Sequence, residues 1–415
     1  MEVVYILGLV LMGLALLDAV AGVAVSIRQS FARAKYQQRQ SNRLRTALVE
    51  KSPESSGESG GRWKGFRRFS VVNKVMEAED ICSFYLGPVD GNSVCPFEPG
   101  QHIGFRFTVP GDSKPTIRSY SLSSGELEDN LYRVTIKKVP PPPDTDFPPG
   151  KGSSFFHEEL EIGSVVEVSA PNGKFFLDRE DDRPAVLIAG GIGITPLLSM
   201  LETICKEGLE RTCHLFHAVR SHRDHAFAER LQELVQVRDH LHLHTYFSHP
   251  EEGQELPADS KTGFLSVDAI REAVGHLEAQ FYICGPPPMM QAMVPSMEEA
   301  GIRTHDIKME AFGPASIKKK KSSNEEKASA IEASTPLISF ANKAVKWDGE
   351  SSILEMAEEN EVEIDSSCRS GSCGTCQVRL LSGKVKYDDE PACEPDDGNC
   401  LTCVGVPDGD IELDV

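Results

Sequence analysis

The sequence is short of positive charge. It has 43 lysine and arginine residues against 63 aspartate and glutamate residues, which gives a formal net charge of −20 at pH 7. Nucleic-acid phosphates are bound by clustered lysine and arginine, so the composition argues against a nucleic-acid-binding protein. The deficit is largest from residue 336 onward, where 18 acidic residues face 6 basic ones. This acidic segment is either a solvated face or a surface that steers a basic partner protein.

A disulfide framework is also missing, although the chain has 11 cysteines. Disulfide scaffolds are typical of short secreted domains, whereas this chain has 415 residues and places four of its cysteines at metal-ligand spacing. Four others are scattered, and we expect them to be buried thiols: Cys82, Cys95, Cys205 and Cys213. A reducing compartment fits this usage best.

The N-terminus lacks the basic residues that open a cleaved signal peptide, since only Met1 and Glu2 precede its apolar stretch. Residues 3–27 contain a single charge, Asp18, and are long enough to cross a hydrocarbon core of ~30 Å as a helix. Six basic residues follow without an acidic neighbour: Arg28, Arg33, Lys35, Arg39, Arg43 and Arg45. The sequence therefore predicts a single-pass anchor in the cell membrane (residues 1–27), with the soluble domains in the cytoplasm.

A basic juxtamembrane helix and a flexible linker are expected over residues 28–62. Residues 63–182 then show short alternating strands between glycine, proline and aspartate turns, which is typical of an antiparallel β-barrel. The barrel contains the motif Arg118-Ser119-Tyr120-Ser121 and, some thirty residues later, the turn Gly150-Lys151-Gly152-Ser153 before a helix. An arginine can bind a phosphate, a tyrosine ring can cover a flavin, and the turn can direct backbone N–H groups at a pyrophosphate.

An α/β domain with a parallel sheet is predicted over residues 183–314. A compact apolar strand leads into a glycine-rich turn and a helix, which is the geometry that lets the backbone approach a dinucleotide phosphate. The glycine spacing departs from G-x-G-x-x-G. The turn consists of Gly190, Gly191, Ile192, Gly193, Ile194, Thr195 and Pro196. Further strands are expected at residues 214–219 and 280–285.

Two further motifs follow along the chain: Cys284-Gly285-Pro286, and Glu310-Ala311-Phe312-Gly313. Taken in order, all of these motifs resemble the ferredoxin-NADP⁺ reductase superfamily over residues 63–314. The resemblance implies a flavin held by Arg118, Ser119, Tyr120, Ser121, Gly152 and Ser153. It implies NADH or NADPH bound by Gly190, Gly191, Gly193, Thr195, Pro196, Cys284, Gly285 and Pro286. Ser121, Cys284 and Phe312 would lie at the reacting atoms.

Two choices of cofactor stay open. A proline-rich insert at residues 140–150 separates the two flavin motifs, so FMN is an alternative to FAD. An acidic residue after the second strand of the nucleotide domain would select a ribose 2′-OH, and a basic pocket would select a 2′-phosphate. Residues 220–224 contain both signs.

A linker with clustered charge is expected over residues 315–335. Residues 336–415 then contain Cys368, Cys373 and Cys376 at C-x₄-C-x₂-C spacing, with Cys403 about 27 residues on. This asymmetric spacing favours a [2Fe–2S] cluster over zinc. Together with the flanking strands and short helix, it resembles a plant-type ferredoxin of the α+β, β-grasp class. Cys393 and Cys400 are alternatives to Cys403 as the fourth ligand.

The combined resemblance implies an NAD(P)H-dependent oxidoreductase. Hydride supplies two electrons, the cluster takes one at a time, and a flavin converts between the two. The expected acceptor is a partner protein such as a membrane-associated oxygenase, hydroxylase or desaturase. One alternative is a subunit of a membrane respiratory NADH:quinone-type reductase, although in that family the ferredoxin precedes the flavin domain. A second alternative is a non-catalytic redox sensor or scaffold.

Overall fold

In the computed structural model, the described residues are 61–63, 65–113, 115–125, 130–141, 148–236, 238–251, 253, 256–257, 260–311, 336–341, 343–360, 362–366, 371, 374–387, 391 and 393–415. The predicted anchor, residues 28–60 and the predicted linker at residues 315–335 therefore lie outside them. Within these ranges, no helix is both long and apolar enough to cross a bilayer.

The first domain is an antiparallel barrel, as the alternating strands predicted. Its strands are β1 (Phe66–Ala78), β2 (Ile81–Pro88), β3 (His102–Phe107), β4 (Thr116–Ser121), β5 (Tyr132–Lys137) and β6 (Val165–Ser169). They run in the order β4-β3-β6-β1-β2-β5. An antiparallel bridge between Leu122 and Val134 joins the two edges of the sheet, so the barrel closes between β4 and β5.

Aromatic side chains fill the barrel, and one of them comes from helix α1 (Lys151–Glu158). The ring centroid of Phe156 lies 4.9 Å from that of Phe105 and 5.0 Å from that of Tyr120, both in edge-on contacts. Phe156 is fully buried. Because aromatic rings bury large areas and prefer such edge-on geometry, this one side chain packs α1 against β3 and β4.

The second domain is the predicted parallel sheet. Its strands are β7 (Ala185–Gly190), β8 (Cys213–Val219), β9 (Leu241–Phe247), β10 (Lys261–Thr262), β11 (Gln280–Gly285) and β12 (Ile307–Ala311), in the order β10-β9-β8-β7-β11-β12. Its helices are α2 (Ile194–Glu207), α3 (Ala228–Gln236), α4 (Val267–Val274) and α5 (Pro287–Glu299). The central strand β7 is buried along its whole length, which explains its unbroken apolar sequence, since helices cover both faces of such a sheet.

Glu202, a buried residue of α2, joins the second domain to the barrel. One of its carboxylate oxygens accepts from Arg133 Nη2 of the barrel at 3.1 Å and from the backbone N–H of Gly125 at 2.8 Å. The other oxygen accepts from Arg230 Nε of α3 at 3.0 Å. The carboxylate has 4% exposure. Because a buried charge is tolerated only when it is paired, the contact fixes how the two domains meet.

The third domain has a mixed sheet with one helix, in agreement with the predicted β-grasp class. Its strands are β13 (Leu337–Phe340), β14 (Lys343–Lys346), β15 (Gln377–Ser382), β16 (Val385–Tyr387), β17 (Asn399–Leu401), β18 (Gly405–Pro407) and β19 (Ile411–Leu413). Five of them form a sheet in the order β14-β13-β19-β15-β17. Helix α6 (Ile353–Glu359) begins with a capping box between Ser352 and Glu355, which satisfies the first backbone N–H groups of the helix.

Candidate functional site

The two predicted flavin motifs meet at Gly152. A Cβ atom on this glycine would lie 3.0 Å from Arg118 Cγ and 3.1 Å from the hydroxyl oxygen of Tyr120. The backbone of the turn therefore rests directly against the side chains of the first motif. Ser119, between those two side chains in sequence, pairs with Gly104 of the neighbouring strand.

Arg118 and Tyr120 are placed for different tasks. The guanidinium of Arg118 is exposed and donates to the backbone carbonyl of Ile117 at 2.7 Å. The ring of Tyr120 is half-buried, and burial raises the pKa of its hydroxyl, which keeps the phenol neutral. An exposed cation next to a neutral aromatic face suits a ligand that is phosphate at one end and planar at the other.

Ser153 does more than the sequence indicated. Its hydroxyl accepts from the backbone N–H of Val139 at 3.0 Å and donates to the carbonyl of Gly150 at 2.9 Å. Both partners lie at the base of the proline-rich insert. The hydroxyl thus ties together the two ends of the insert. The group of residue 153 that remains to contact a phosphate is its backbone N–H.

Ser121 connects the barrel to the second domain. Its buried hydroxyl donates to Glu310 Oε2 at 3.1 Å, and the other carboxylate oxygen of Glu310 lies 3.7 Å from His102 Nδ1. Glu310 pairs in register with Cys284 of the adjacent strand. The predicted reacting residues Ser121 and Cys284 are thereby brought to one place, whereas Phe312 lies outside the described residues.

Cys284 and the glycine turn are in close contact. Gly193 packs against the backbone carbonyl of Cys284 so tightly that a Cβ atom would overlap it. Burial raises the pKa of the Cys284 thiol well above its ordinary value, and the Glu310 carboxylate raises it further. The thiol is therefore neutral at physiological pH, which excludes a role as a thiolate nucleophile.

The other predicted residues of the nucleotide site border the same edge of the sheet. Thr195 is buried in the first turn of α2 and donates its hydroxyl proton to the carbonyl of Ile192 at 3.1 Å. Pro196 follows it in the helix, Gly285 ends β11, and Pro286 caps α5. Gly190 and Gly191 join β7 to the turn. The carboxyl ends of the strands in a parallel sheet are where such folds bind ligands.

Helix N-termini add a pattern that the sequence analysis missed. Helices α1, α2 and α5 all begin at the predicted cofactor motifs, and each lacks a side-chain cap and an acidic residue in its first turn. By contrast, α4 and α6 begin elsewhere and are capped by serine side chains. Free N–H groups at the start of α1, together with the positive end of its helix dipole, are suited to bind phosphate. Helix α5 instead begins with Pro287 and Pro288, which have no N–H, so it can contribute only its dipole.

His217 is a second residue that the sequence analysis missed. It lies on β8 and is fully buried, and its Nε2 is 3.1 Å from the carbonyl oxygen of Gly191 in the glycine turn. Burial, together with nearby His225, lowers the pKa of His217 to about 3. The neutral ring can donate one hydrogen bond, and its donation to the Gly191 carbonyl holds the glycine turn against β8.

The segment after β8 holds both charges that left the nucleotide choice open. Arg223 lies 2.7 Å from Glu251 and 3.2 Å from Glu79, and Asp224 forms an ion pair with Lys137. Arg223 and Asp224 are therefore each already in an ion pair with another side chain of the protein.

The predicted cluster ligands are described in part, since Cys368 and Cys373 lie outside the described residues. Cys376 is buried and Cys403 is half-buried. The carbonyl of Cys376 accepts from both the backbone N–H and the hydroxyl of Thr402, at 3.2 Å and 3.0 Å, which keeps Cys403 beside Cys376. Residues 61–415, with the gaps given above, contain no group of three or more side chains that could hold a metal ion. These residues include only two of the four predicted ligands, Cys376 and Cys403.

These arrangements fit the groups that the motifs imply. The glycine cradle against Arg118 and Tyr120 suits a flavin, the uncapped helices at the sheet edge suit a dinucleotide, and the paired Cys376 and Cys403 suit half of a [2Fe–2S] ligand set.

Comparison with known families gives the same three parts in the same order. An oxidoreductase FAD-binding domain matches residues 68–177, and an oxidoreductase NAD-binding domain matches residues 187–294. A 2Fe-2S iron-sulfur cluster binding domain matches residues 342–408. The chain thus has FAD-, NAD- and [2Fe–2S]-binding domains.

Individual proteins show the same relationship. The flavohemoprotein of Halalkalibacterium halodurans is 35% identical over 269 residues, which cover 65% of each chain, so this chain spans just under two thirds of that relative. The FAD/NAD-binding domain of nitric oxide dioxygenase from Vibrio cholerae is 31% identical, with a TM-score of 0.54, over 60% of this chain and 99% of that one. Phthalate dioxygenase reductase, described as a modular structure for electron transfer from pyridine nucleotides to [2Fe-2S], is 27% identical, with a TM-score of 0.54, over 85% of this chain and 98% of that one.

Proposed function

We propose that this chain is the reductase component of a multi-protein oxygenase-type system, because it has FAD-, NAD- and [2Fe–2S]-binding domains in that order. It takes hydride from NADH or NADPH and delivers single electrons to a partner protein. FAD, when bound, supplies the conversion from a two-electron donor to a one-electron acceptor.

One contact carries the proposal: the hydrogen bond from Ser121 to Glu310. It links the flavin motif of the barrel to the strand edge that holds Cys284 and the glycine turn. A nicotinamide bound at that edge would therefore face a flavin bound in the barrel, and positioning of two reactants is a large part of catalysis.

The side chains have separate roles in this scheme. Arg118 and the first turn of α1 would bind flavin phosphate, and Tyr120 would cover the ring system. Ser121, whose hydroxyl is oriented by Glu310, would present that hydroxyl to the flavin. The glycine turn and the N-terminus of α2 would bind the nucleotide, and α5 would add the positive end of its dipole. The neutral thiol of Cys284 would lie beside the nicotinamide. The buried surroundings exclude water from the transferred hydride.

The test is stopped-flow mixing of the anaerobic, reconstituted full chain with NADH or NADPH. We expect fast bleaching of the flavin absorbance, followed by reduction of the cluster. If neither nucleotide bleaches the flavin, the chain is not a nicotinamide-dependent reductase, and only the scaffold alternative survives.

The order of carriers has its own test. We predict that Cys373→Ser abolishes reduction of cytochrome c, which needs one-electron delivery through the cluster, and leaves reduction of ferricyanide by the flavin largely intact. Equal loss of the two activities would contradict an order in which the flavin precedes the cluster.

The acceptor and the location belong to the same proposal. The acidic third domain suits a basic docking surface, and we assign the acceptor to the oxygenase, hydroxylase or desaturase class. The apolar stretch of residues 3–27 would hold the protein at the cytoplasmic side of the membrane. A chain that begins at residue 61 should then stay in the supernatant under conditions in which the full chain sediments with vesicles, and identical partitioning would remove the anchor from the proposal.

A further inference from the structure

A turn of the barrel touches the cluster loop of the third domain. Lys174 Nζ lies 2.7 Å from Asp396 Oδ1. The stem of the same lysine lies along Gly374, since a Cβ atom there would be 3.5 Å from Lys174 Cδ. Gly374 stands between the predicted ligands Cys373 and Cys376, so the lysine contacts the loop that would surround the cluster.

The barrel holds this turn firmly and close to the flavin motif. Asn172 forms an antiparallel bridge with His102, and Gly173 lies against the His102 ring with a φ of +120°, where a Cβ atom would be 2.8 Å from Nδ1. A side chain at residue 173 is therefore excluded both by strain and by space. His102 in turn pairs in register with Ser121. Residues 172–174 thus lie two strand pairings, through His102, away from Ser121, the residue assigned to the reacting edge of the flavin.

The third domain holds its side of the contact equally well. The backbone N–H of Asp396 donates to Gln377 Oε1 at 2.6 Å, and Gln377 Nε2 donates to the carbonyl of Gly374 at 3.4 Å. Asp396 and the cluster loop are therefore connected through one glutamine. A movement of Asp396 would therefore also move the loop that carries the predicted ligands.

We propose that residues 172–174 form the internal docking point at which the third domain presents its cluster loop to the flavin barrel. The Lys174–Asp396 ion pair then determines the fraction of molecules in which the third domain is docked on the barrel. The inference rests on the proposed electron path from flavin to cluster. It adds the place where the two domains exchange electrons.

The strength of the pair suits a contact that must open again. The side chains of Lys174 and Asp396 are 49% and 65% exposed, and exposed pairs of this kind are weak and screened by salt. A domain that docks weakly can leave the barrel and reach an acceptor.

The first test measures flavin-to-cluster electron transfer by stopped flow in the reconstituted full chain. Lys174→Glu and Asp396→Lys should each slow cluster reduction about two- to fivefold at low ionic strength, a change typical of losing an exposed pair. The double variant, which restores opposite charges, should recover most of the rate. Bleaching of the flavin by nucleotide should stay unchanged in all three proteins.

Matched controls carry the same changes of charge at other exposed sites of the third domain. Lys384→Glu and Asp408→Lys should leave the rate of cluster reduction and its salt dependence as in the parent protein. If the controls slow the reaction as much as the paired variants, or if no variant changes it, the docking point is wrong even though the reductase works. If the flavin itself fails to bleach, the proposed function fails first.

The second test needs no turnover. Zero-length carbodiimide coupling of the holoprotein should join Lys174 to Asp396, detected by mass spectrometry as one cross-linked peptide pair. The product should form at low salt, diminish at high salt and disappear in Lys174→Ala. A cross-link of Asp396 to another lysine, with none to Lys174, would overturn the assignment.

Discussion

Cys403 differs from Cys400 in its surroundings, and this difference makes the fourth cluster ligand testable. Cys400 lies in the apolar core of the third domain, and burial raises the pKa of its thiol to about 12. Cys403 is half-buried and is held beside Cys376 through Thr402. A cluster ligand must face the loop that carries Cys376, whereas the Cys400 side chain packs among the apolar side chains of the core, so Cys400 is a poor candidate.

We predict that Cys403→Ser loses the cluster, measured as iron and sulfide content and as the visible spectrum after reconstitution. Cys400→Ser and Cys393→Ser should keep both. Cys393 is a useful control because its sulfur would lie 3.0 Å from a Cβ atom at Gly374, which places it at the cluster loop. Loss of iron in Cys393→Ser with retention in Cys403→Ser would reverse the assignment.

His225 should make the second domain sensitive to acid. It is buried, and neither ring nitrogen has a hydrogen-bond partner among the described residues. Burial, with a smaller contribution from His222, lowers its pKa from 6.5 to about 4. Between pH 6.5 and pH 4, His225 is therefore protonated in the unfolded chain but neutral in the folded chain. The free energy of unfolding must then fall as the pH falls through this window.

For this one side chain, we expect the free energy of unfolding to fall by about 2 kcal/mol between pH 6.5 and pH 5. Each pH unit over which only the unfolded state binds the proton contributes about 1.4 kcal/mol. His225→Phe should reduce the difference in unfolding free energy between the two pH values, since a phenyl ring of similar shape cannot titrate. Denaturant unfolding at both pH values measures it. The exposed His305→Gln should leave the difference unchanged, and an equal effect of both substitutions would rule out burial as the cause.

At the residue scale, sequence reasoning located the side chains that come in motifs and missed those that depend on pairing between distant strands. Arg118, Tyr120, Gly152 and Cys284 could be predicted because the motifs are short and ordered along the chain. The role of His217 could not, because nothing in an apolar strand indicates that one histidine will meet a carbonyl of the neighbouring turn. The bond from Ser121 to Glu310 spans 189 positions in sequence, so it exists only once the two domains are folded together.

Helix α1 supports a prediction at the scale of an element. Its buried Phe156 inserts among the rings of Phe105 and Tyr120, whereas its neighbour Phe155 stacks on Phe107 at 4.4 Å and is half-buried. Removing a buried phenylalanine costs about 3–5 kcal/mol. We predict this loss for Phe156→Ala and a clearly smaller one for Phe155→Ala, measured by denaturant unfolding of the apoprotein.

The same substitution should weaken the flavin. Gly152 rests on Arg118 and Tyr120 only while α1 keeps its angle, so Phe156→Ala should raise the Kd of FAD, measured by quenching of flavin fluorescence. Phe155→Ala serves as the matched control. Unchanged FAD affinity in a folded Phe156→Ala protein would show that α1 is not part of the flavin site.

Elements were predictable where periodicity was strong. The strands predicted at residues 214–219 and 280–285 appear where the pattern placed them. Sheet order was not predictable, because hydrophobic alternation defines which face of a strand is buried and leaves its neighbours undetermined. The bridge from Leu122 to Val134 that closes the barrel is an example, since neither residue belongs to a motif.

At the scale of the whole molecule, the relation between barrel and nucleotide domain depends on Glu202. Hydride transfer requires the two cofactors to meet within a fraction of an ångström, and a small misplacement can cost about 100-fold in rate. The carboxylate of Glu202 receives hydrogen bonds from Arg133 and Gly125 of the barrel side and from Arg230 of its own domain. It is therefore a buried charge that both domains share.

We predict that Glu202→Ala destabilises the protein by about 3–5 kcal/mol, because it leaves the buried guanidinium of Arg133 without its carboxylate. Glu202→Gln should cost less, since an amide oxygen still accepts the backbone N–H of Gly125. Arg230→Gln, at a side chain with 40% exposure, should cost little, because the buried pair survives. Denaturant unfolding measures all three.

The folded Glu202→Gln protein separates stability from geometry. If the shared carboxylate orients the domains, its flavin should bleach more slowly with saturating NAD(P)H while FAD content stays at the parental level, because each cofactor site is intact and only their relative position has changed. The Arg230→Gln protein should bleach at the parental rate. Parental bleaching in both proteins would mean that Glu202 contributes to stability alone, and the orientation of the two domains would then have to come from the bond between Ser121 and Glu310.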